Sequence, residues 1–148
     1  MNDYQKGERD EIYDAIPHRP PFLFVDKILY IEEEKIKTIK YVKKDEFFFK
    51  GHYPGYPIMP GVLICEAIYQ TGALLLSKLF KKKGMLPVLT QIKKVKFKRR
   101  VVPDEVLEIE VFLLDRINKA YYLKGKASVS GKLVAYTEFV GTMITEAG

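Results

Sequence analysis

Residues 61–79, GVLICEAIYQTGALLLSKL, constrain the fold most, because apolar side chains occupy nearly every face of the helix they would form. Pro60 stands directly before this segment, where proline favours a helix start. A helix of this length spans roughly 28 Å at about 1.5 Å per residue. A helix that is apolar all round has to be buried, so we expect the rest of the chain to enclose it.

A membrane-spanning helix is the competing interpretation of this segment. Glu66 and Gln70 interrupt it near its middle, and nothing else in the sequence resembles a second span. Residues 1–16 mix charges with few apolar side chains, unlike a secretion signal or an anchor. The single cysteine, Cys65, cannot form an intramolecular disulfide. We therefore expect a cytoplasmic protein without membrane insertion.

The other segments supply what can enclose the helix. Asp10 to Ile16 predicts a short helix that the proline-rich run 17–21 ends, and alternating residues 22–42 predict a β-hairpin. Residues 43–60, with three prolines, predict a long loop with fixed turns. Alternation then predicts four antiparallel strands, over residues 87–97, 105–117, 119–129 and 132–144.

A curved antiparallel sheet wrapped around one long central helix satisfies this order of elements, which makes the fold class α+β. The chain has 148 residues, of which 47% are hydrophobic, enough for one core but not for two. We expect residues 1–148 to form a single domain.

Glu66 is the first candidate for chemistry, because it is the only charged residue between Gly61 and Ser77. An unpaired carboxylate inside an apolar helix costs several kcal/mol unless it is protonated or paired. An ordinary salt bridge at a helix edge is the simpler explanation. His52 argues against that explanation, because its loop, GHYPGYPIMPG, is suited to positioning a side chain beside the helix start. Together they make a plausible general base and general acid.

Gly61 adds a third element to this constellation. The first amides of a helix are unpaired, and the helix dipole is positive there, which suits a carbonyl oxygen that gains charge. Gln70, one helical turn after Glu66, is placed either to orient that carboxyl or simply to pack. His18, beside Arg19 in the proline-rich connector, is interpreted as a brace for that loop.

Two motifs carry a family resemblance: PHRPPFLFVDKI at 17–28, and FFFKGHYPGYPIMPGVLICEAIYQTG at 47–72. The sequence resembles the β-hydroxyacyl-acyl carrier protein dehydratases of type II fatty acid synthesis over nearly its whole length. The resemblance implies the hot-dog fold and a homodimer with active sites at the subunit interface, often assembled as a trimer of dimers.

The resemblance also implies roles for these residues. His52 would take the C2 proton of a (3R)-3-hydroxyacyl group carried by acyl carrier protein. Glu66 of the facing subunit would protonate the departing hydroxyl to leave a trans-2-enoyl thioester. The amides of Gly61 and Val62 would polarise the thioester carbonyl.

No metal or organic cofactor is required by this chemistry, and no Cys and His cluster has metal-ligand spacing. The sequence departs from the family pattern at Arg100, at Asp104-Glu105 and at Tyr69. A smaller residue is usual at the last of these positions, so Tyr69 can alter helix packing or the width of the acyl tunnel.

The net charge of +6 can attract phosphate, nucleic acid or an acidic protein. Lys96, Lys98, Arg99 and Arg100 crowd one segment, and in a strand Lys96, Lys98 and Arg100 would share a face. We expect this segment to dock the acidic carrier protein, with a simple role in solubility as the alternative.

Two rival functions remain open at this point. A hot-dog thioesterase could use the same fold and the same glycine to hydrolyse the thioester. A non-catalytic RNA-binding or acyl-binding module is suggested by KKVKFKRR at 93–100, but this segment lacks an aromatic stacking platform beyond Phe97. We therefore expect no nucleic-acid partner.

Overall fold

The computed structural model describes residues 3–80 and 84–145. It contains two α-helices, a 3₁₀ turn at Phe47–Lys50 and one six-stranded sheet. The helices are α1 (Asp3–Ala15) and α2 (Gly61–Leu79). The strands are β1 (Lys27–Ile31), β2 (Lys35–Tyr41), β3 (Met85–Phe97), β4 (Val106–Ile117), β5 (Ala120–Val129) and β6 (Lys132–Thr145). Their order in the sheet is β1-β2-β4-β5-β6-β3, and every neighbouring pair is antiparallel.

The sheet curves around α2, as predicted. The helix contacts five adjacent strands, β2 to β6. Five strands spaced by about 4.8 Å cover roughly 19 Å, whereas a helix with its side chains is only about 10–12 Å wide. A flat sheet could not bring all five strands to one helix, so the sheet has to wrap around it.

Gly125 on β5 fixes how closely the helix approaches the sheet. A Cβ at this position would lie 2.3 Å from Cγ2 of Ile68 on α2. Buried residues alternate along the rest of β5, with Tyr121, Leu123 and Ala127 pointing into the core. The glycine leaves room for the isoleucine at the closest point of contact, so α2 packs directly on the middle of the sheet.

By length and composition α2 could also cross a membrane, as one helix among the described residues. The 18-residue stretch of α2 with the highest hydropathy is 56% buried by the rest of the chain. Its buried residues run from Ile64 to Leu76 and pack against the sheet. We therefore identify α2 as the core helix of this fold.

Most predicted elements are confirmed, with two corrections in the N-terminal part. The first helix begins at Asp3, not at Asp10, because its first turns are polar and show no apolar periodicity. The hairpin strands occupy Lys27–Ile31 and Lys35–Tyr41, so residues 22–26 are connector and not strand. Tight turns at Asn118 and at Ser130-Gly131 join β4 to β5 and β5 to β6, and all three residues adopt positive φ.

Candidate active site

Glu66 lies on α2 with its side chain 24% exposed. Burial raises the pKa of this carboxyl above its ordinary value, and the hydrogen bond from Gln70 acts in the opposite direction as the smaller effect. A raised pKa keeps more of the carboxyl protonated towards neutral pH. Glu66 can therefore serve as a proton donor.

Gln70 connects this carboxyl to the proline-rich connector. Its Nε2 donates to Oε1 of Glu66 at 3.1 Å and to the carbonyl of Phe22 at 2.9 Å. Its Oε1 accepts a hydrogen bond from the amide of Phe24 at 2.8 Å. The side chain is only 1% exposed, and these partners fix which end of its amide faces Glu66. The sequence left open whether Gln70 orients the carboxyl of Glu66 or packs in the core, and in the structure it does both.

His18 is the residue whose position the sequence did not predict. Its Nε2 lies 3.9 Å from Oε1 of Glu66. Burial, and then the charge of Arg19, lower the pKa of His18 below its ordinary value, which favours the neutral ring. The brace is provided by Arg19, whose guanidinium donates to the carbonyls of Ile16 at 2.9 Å and Tyr13 at 3.0 Å.

His52 lies in the loop that precedes α2. Its Nδ1 is 2.9 Å from the carbonyl of Ile58. A carbonyl oxygen can only accept, so in the neutral ring Nδ1 carries the proton and Nε2 keeps its lone pair. The ring of His52 stacks on the ring of Tyr53, with centroids 4.2 Å apart. Near the start of the loop, Nζ of Lys40, a residue only 4% exposed, lies 2.5 Å from Oε2 of Glu46. The loop thus presents Nε2 of His52 as a possible base.

The start of α2 offers free amides, as predicted. The amides of Leu63 and Ile64 both donate to the carbonyl of Pro60, at 3.0 and 3.1 Å. In the first turn of a helix this leaves the amides of Gly61 and Val62 for another acceptor. Val62 is 74% exposed, and a Cβ on Gly61 would lie 2.8 Å from the ring of Phe97. Glycine therefore lets the ring of Phe97 pack directly against this end of the helix.

A narrow cleft begins at Glu66 and runs along α2. Its walls come from α2, from strands β3, β5 and β6, and from His18. Among the described residues that line this cleft, His52 is absent. Within one chain, Glu66 lines this cleft and His52 does not.

The basic segment lies at the end of β3, so its last three residues lie beyond the strand. The strand ends at Phe97, because the amides of Lys98 and Arg99 both bind the carbonyl of Val134, so strand alternation does not continue to Arg100. All four candidates are exposed: Lys96, Lys98, Arg99 and Arg100. The guanidinium of Arg100 donates to the hydroxyl of Tyr56, in the loop that carries His52.

No group of three or more His, Cys, Asp and Glu side chains within residues 3–80 and 84–145 could hold a metal ion.

Comparison with known proteins identifies similar sequences. Residues 16–138 match the family model of the FabA-like domain. The chain is 44% identical over 131 residues to the 3-hydroxyacyl-[acyl-carrier-protein] dehydratase FabZ of Petrotoga mobilis, covering 88% of this chain and 94% of that protein. It is 45% identical over 131 residues to the FabZ of Geobacillus thermodenitrificans, covering 88% and 90%.

Two solved structures are similar in fold. The dehydratase heterocomplex ApeI:P from Xenorhabdus doucetiae matches with a TM-score of 0.79 at 17% identity, over 92% of both chains. A hypothetical thioesterase protein with coenzyme A from Streptococcus pneumoniae matches with a TM-score of 0.62 at 12% identity, over 95% of this chain and 97% of that one. At these identities the likeness concerns the fold alone, and it confirms the predicted hot-dog architecture.

Proposed function

Because this chain belongs to the FabA-like domain family and, within it, to the 3-hydroxyacyl-[acyl-carrier-protein] dehydratases, we propose that it removes water from (3R)-3-hydroxyacyl-acyl carrier protein, with His52 as base and Glu66 as acid. The activity is that of a hydro-lyase in fatty acid synthesis, and its product is the trans-2-enoyl thioester.

The chemistry of dehydration sets the role of each group. Removal of a proton beside a carbonyl builds enolate charge, and hydroxide departs only when it is protonated. Nε2 of His52 takes the C2 proton, and the carboxyl of Glu66 protonates the C3 hydroxyl as it leaves. The amides of Gly61 and Val62 bind the thioester oxygen while it carries the developing charge. These steps use side chains and backbone only, so the proposed mechanism needs no cofactor.

The observation that carries the proposal is the environment of Glu66. The carboxyl is largely buried, its pKa is raised by that burial, and Gln70 holds its Oε1. A carboxyl that only formed a surface salt bridge would instead be charged and exposed. The buried arrangement supports a group that arrives protonated and gives its proton away.

The active site of this proposal is shared between two subunits. Among the described residues His52 does not line the cleft at Glu66, which supports a base supplied by a second subunit. Strand β3 forms one edge of the sheet and exposes Leu89, Ile92 and Phe97. A long edge strand with exposed apolar residues is a template for pairing with another chain, and here Leu89 and Ile92 precede the lysines of the C-terminal part of β3. We therefore propose a homodimer, assembled further into a trimer of dimers, with His52 of one subunit facing Glu66 of the next.

Single substitutions test the chemistry. His52→Ala and Glu66→Gln should each lower kcat for a 3-hydroxyacyl carrier substrate by about 10²- to 10⁴-fold, because each removes one proton-transfer group. Circular dichroism and thermal unfolding should show that both variants fold. Near-native turnover by either folded variant would overturn the assignment. Release of free fatty acid without any enoyl product would favour a thioesterase instead.

Mixing the two variants tests the shared site. A heterodimer of His52→Ala and Glu66→Gln chains contains one doubly altered site and one intact site. Random exchange at equal concentrations should restore about a quarter of the wild-type activity, since half of the dimers are mixed and half of their sites are intact. Confirmed exchange without recovered activity would show that each site lies within one chain.

The carrier protein is proposed to dock on the exposed basic segment of Lys96, Lys98, Arg99 and Arg100. Carrier proteins of this kind are acidic, and the phosphopantetheine arm adds a phosphate, so a basic surface beside the site is complementary. Arg100 contacts Tyr56 in the His52 loop, which connects this surface to the proposed base. Arg100 is a poor choice for a test, because its loss would also disturb the loop.

Charge reversal at Lys96 and Lys98 gives the cleaner experiment. These substitutions should raise KM for the carrier-bound substrate and flatten its salt dependence, while turnover of a small pantetheine thioester stays unchanged. Lys132→Glu, at the exposed start of β6, is the matched control and should leave both substrates unaffected. Parallel loss with both substrates would show that the carrier docks elsewhere.

The remaining parts of the proposal concern the whole chain. We propose that residues 1–148 act as a single domain in the cytoplasm, where carrier-bound substrates are available. The comparisons with FabZ proteins cover 88% of the chain and support one catalytic unit.

A further inference from the structure

The cleft that begins at Glu66 follows one stripe of α2. Glu66, Tyr69, Gln70, Ala73 and Leu76 line it, at helical spacings of three and four residues. Beyond Gln70 the helix contributes only apolar side chains to this stripe. An acyl chain whose C3 hydroxyl meets Glu66 would therefore extend along the stripe, past Tyr69, towards the C-terminal end of the helix.

Tyr69 occupies the space between α2 and β6 at the start of this path. Its hydroxyl is 3.1 Å from Oγ1 of Thr137, and its ring packs edge-on against Phe139 with centroids 4.8 Å apart. Burial, as the largest cause, raises the pKa of Tyr69 to about 12, so the phenol stays neutral. The ring is held at both its edge and its hydroxyl, which makes it a fixed wall of the cleft.

The part of the cleft that one chain encloses is small. Its volume is ≈ 80 Å³. Pockets that enclose drug-sized ligands measure about 300–1,000 Å³. Tyr69 follows Glu66 by three residues, which corresponds to about 4.5 Å along the helix axis. Only a few carbons beyond C3 fit before the chain meets the ring.

We infer that Tyr69 is a specificity-determining residue that restricts this enzyme to short 3-hydroxyacyl chains by filling the cleft between α2 and β6. This inference rests on the proposed function, because it assumes that Glu66 meets the C3 hydroxyl. It concerns a ratio between substrates, whereas the proposed function concerns whether dehydration occurs at all.

A series of 3-hydroxyacyl pantetheine thioesters from four to twelve carbons tests the inference. Wild-type kcat/KM should fall as the chain lengthens. Tyr69→Ala should raise the ratio of twelve-carbon to four-carbon kcat/KM by about tenfold or more, the low end of what one methylene is worth in an apolar pocket. Tyr69→Phe keeps the ring and should retain the wild-type ratio within about twofold, since the bulk of the ring excludes the chain.

Two further variants keep the test decisive. Tyr69→Leu leaves a smaller cavity, so it should fold even if Tyr69→Ala does not, and it should shift the ratio in the same direction. Tyr136→Ala is the control, because Tyr136 lies on β6 but its ring contacts Lys94 and does not line the cleft. This variant should leave the ratio unchanged.

A wild-type enzyme that uses the longest and shortest chains equally would overturn the inference. An unchanged ratio in folded Tyr69→Leu would do the same. Failure of the wild-type enzyme to dehydrate even the four-carbon substrate would instead overturn the proposed function.

Discussion

At the scale of single residues, Glu66 combines two demands that oppose each other. An acid has to hold its proton near neutral pH, and burial achieves this by making the charged form unfavourable. The same burial means that ionised Glu66 destabilises the folded chain. Ionisation of Glu66 at rising pH should therefore lower both activity and stability, whereas its replacement by Gln should lower activity and raise stability at neutral pH.

The rate should depend on pH as a bell-shaped curve. It falls on the alkaline side as Glu66 loses its proton, at a pH above the ordinary value for a carboxyl because its pKa is raised. It falls on the acidic side, because a general base that already carries a proton cannot take the C2 proton. Steady-state kcat measured across pH under conditions where chemistry limits turnover checks this. A flat profile under those conditions contradicts the acid and base roles.

Replacement of Glu66 by Gln should raise the stability of the fold at neutral pH, although it abolishes most activity. A carboxyl whose pKa is higher in the folded state contributes stability below its ordinary pKa of 4.5, and this contribution is lost as pH rises through the folded value. Glu66→Gln removes the titration but keeps an acceptor for Gln70. The variant should match the wild type in acid and be more stable at neutral pH, as measured by urea unfolding. Equal stability at both pH values would show that burial imposes no such cost.

Sequence reasoning reached only part of this site at the residue scale. Glu66 and Gln70 are four residues apart on one helix, so their proximity follows from helix geometry. The contacts of Gln70 with Phe22 and Phe24 span more than forty residues of chain, as does the contact of His18 with Glu66. These depend on the path of the proline-rich connector, which local patterns do not encode.

At the scale of elements, the central helix was predicted from residue 61 to residue 79, and it occupies Gly61–Leu79. Pro60 and the largely apolar run that follows it mark those limits. The extension of α1 back to Asp3 was missed, because propensity alone, without an apolar stripe, gives no clear start. The predicted end of the third strand at residue 97 is confirmed, because backbone bonds to Val134 end β3 at Phe97.

The start of α2 gives a prediction at this scale. Gly61→Ala should favour the helix by roughly 1 kcal/mol, but its Cβ would have to displace the ring of Phe97. Unfolding temperature should therefore change little, while kcat falls by up to about 100-fold because the carbonyl can no longer approach the amides in register. Thermal unfolding and steady-state kinetics measure the two effects.

The double variant Gly61→Ala with Phe97→Ala separates the causes of that loss. Removal of the ring relieves the crowding but leaves the added methyl at the amides. Activity should remain low in the double variant, compared with Phe97→Ala alone. Full recovery would show that the loss came from displacement of Phe97 and not from the approach of the substrate.

At the scale of the whole molecule, the two edges of the sheet differ. β1 has five residues, whereas β3 has thirteen, with exposed Leu89 and Ile92 near its middle and the exposed lysines only after them. Proteins usually shorten or charge an edge that is to stay unpaired. The sequence predicted both strands but not which would be the edges, because strand order depends on long-range pairing.

A charge on the long edge should therefore separate the subunits. Ile92 is 49% exposed on β3, and Ile92→Lys should convert the dimer to a monomer and abolish most activity, because His52 and Glu66 then no longer meet. Leu114→Lys is the matched control, since Leu114 is 53% exposed at a bulge of β4, which is an internal strand of the sheet. Analytical ultracentrifugation and the dehydration assay should distinguish the two variants. A dimeric, active Ile92→Lys would place the interface on another surface.

The hydrogen bond between the amide of Phe24 and the side chain of Gln70 has a spectroscopic consequence. Gln70 also holds Glu66, so charge that appears on the carboxyl polarises the intervening amide group and reaches the amide proton of Phe24. In an ¹⁵N-resolved NMR spectrum, the chemical shift of this one backbone proton should trace the titration of the acid. The fold thus contains a built-in reporter of proton occupancy that can be read without altering any group that touches the substrate.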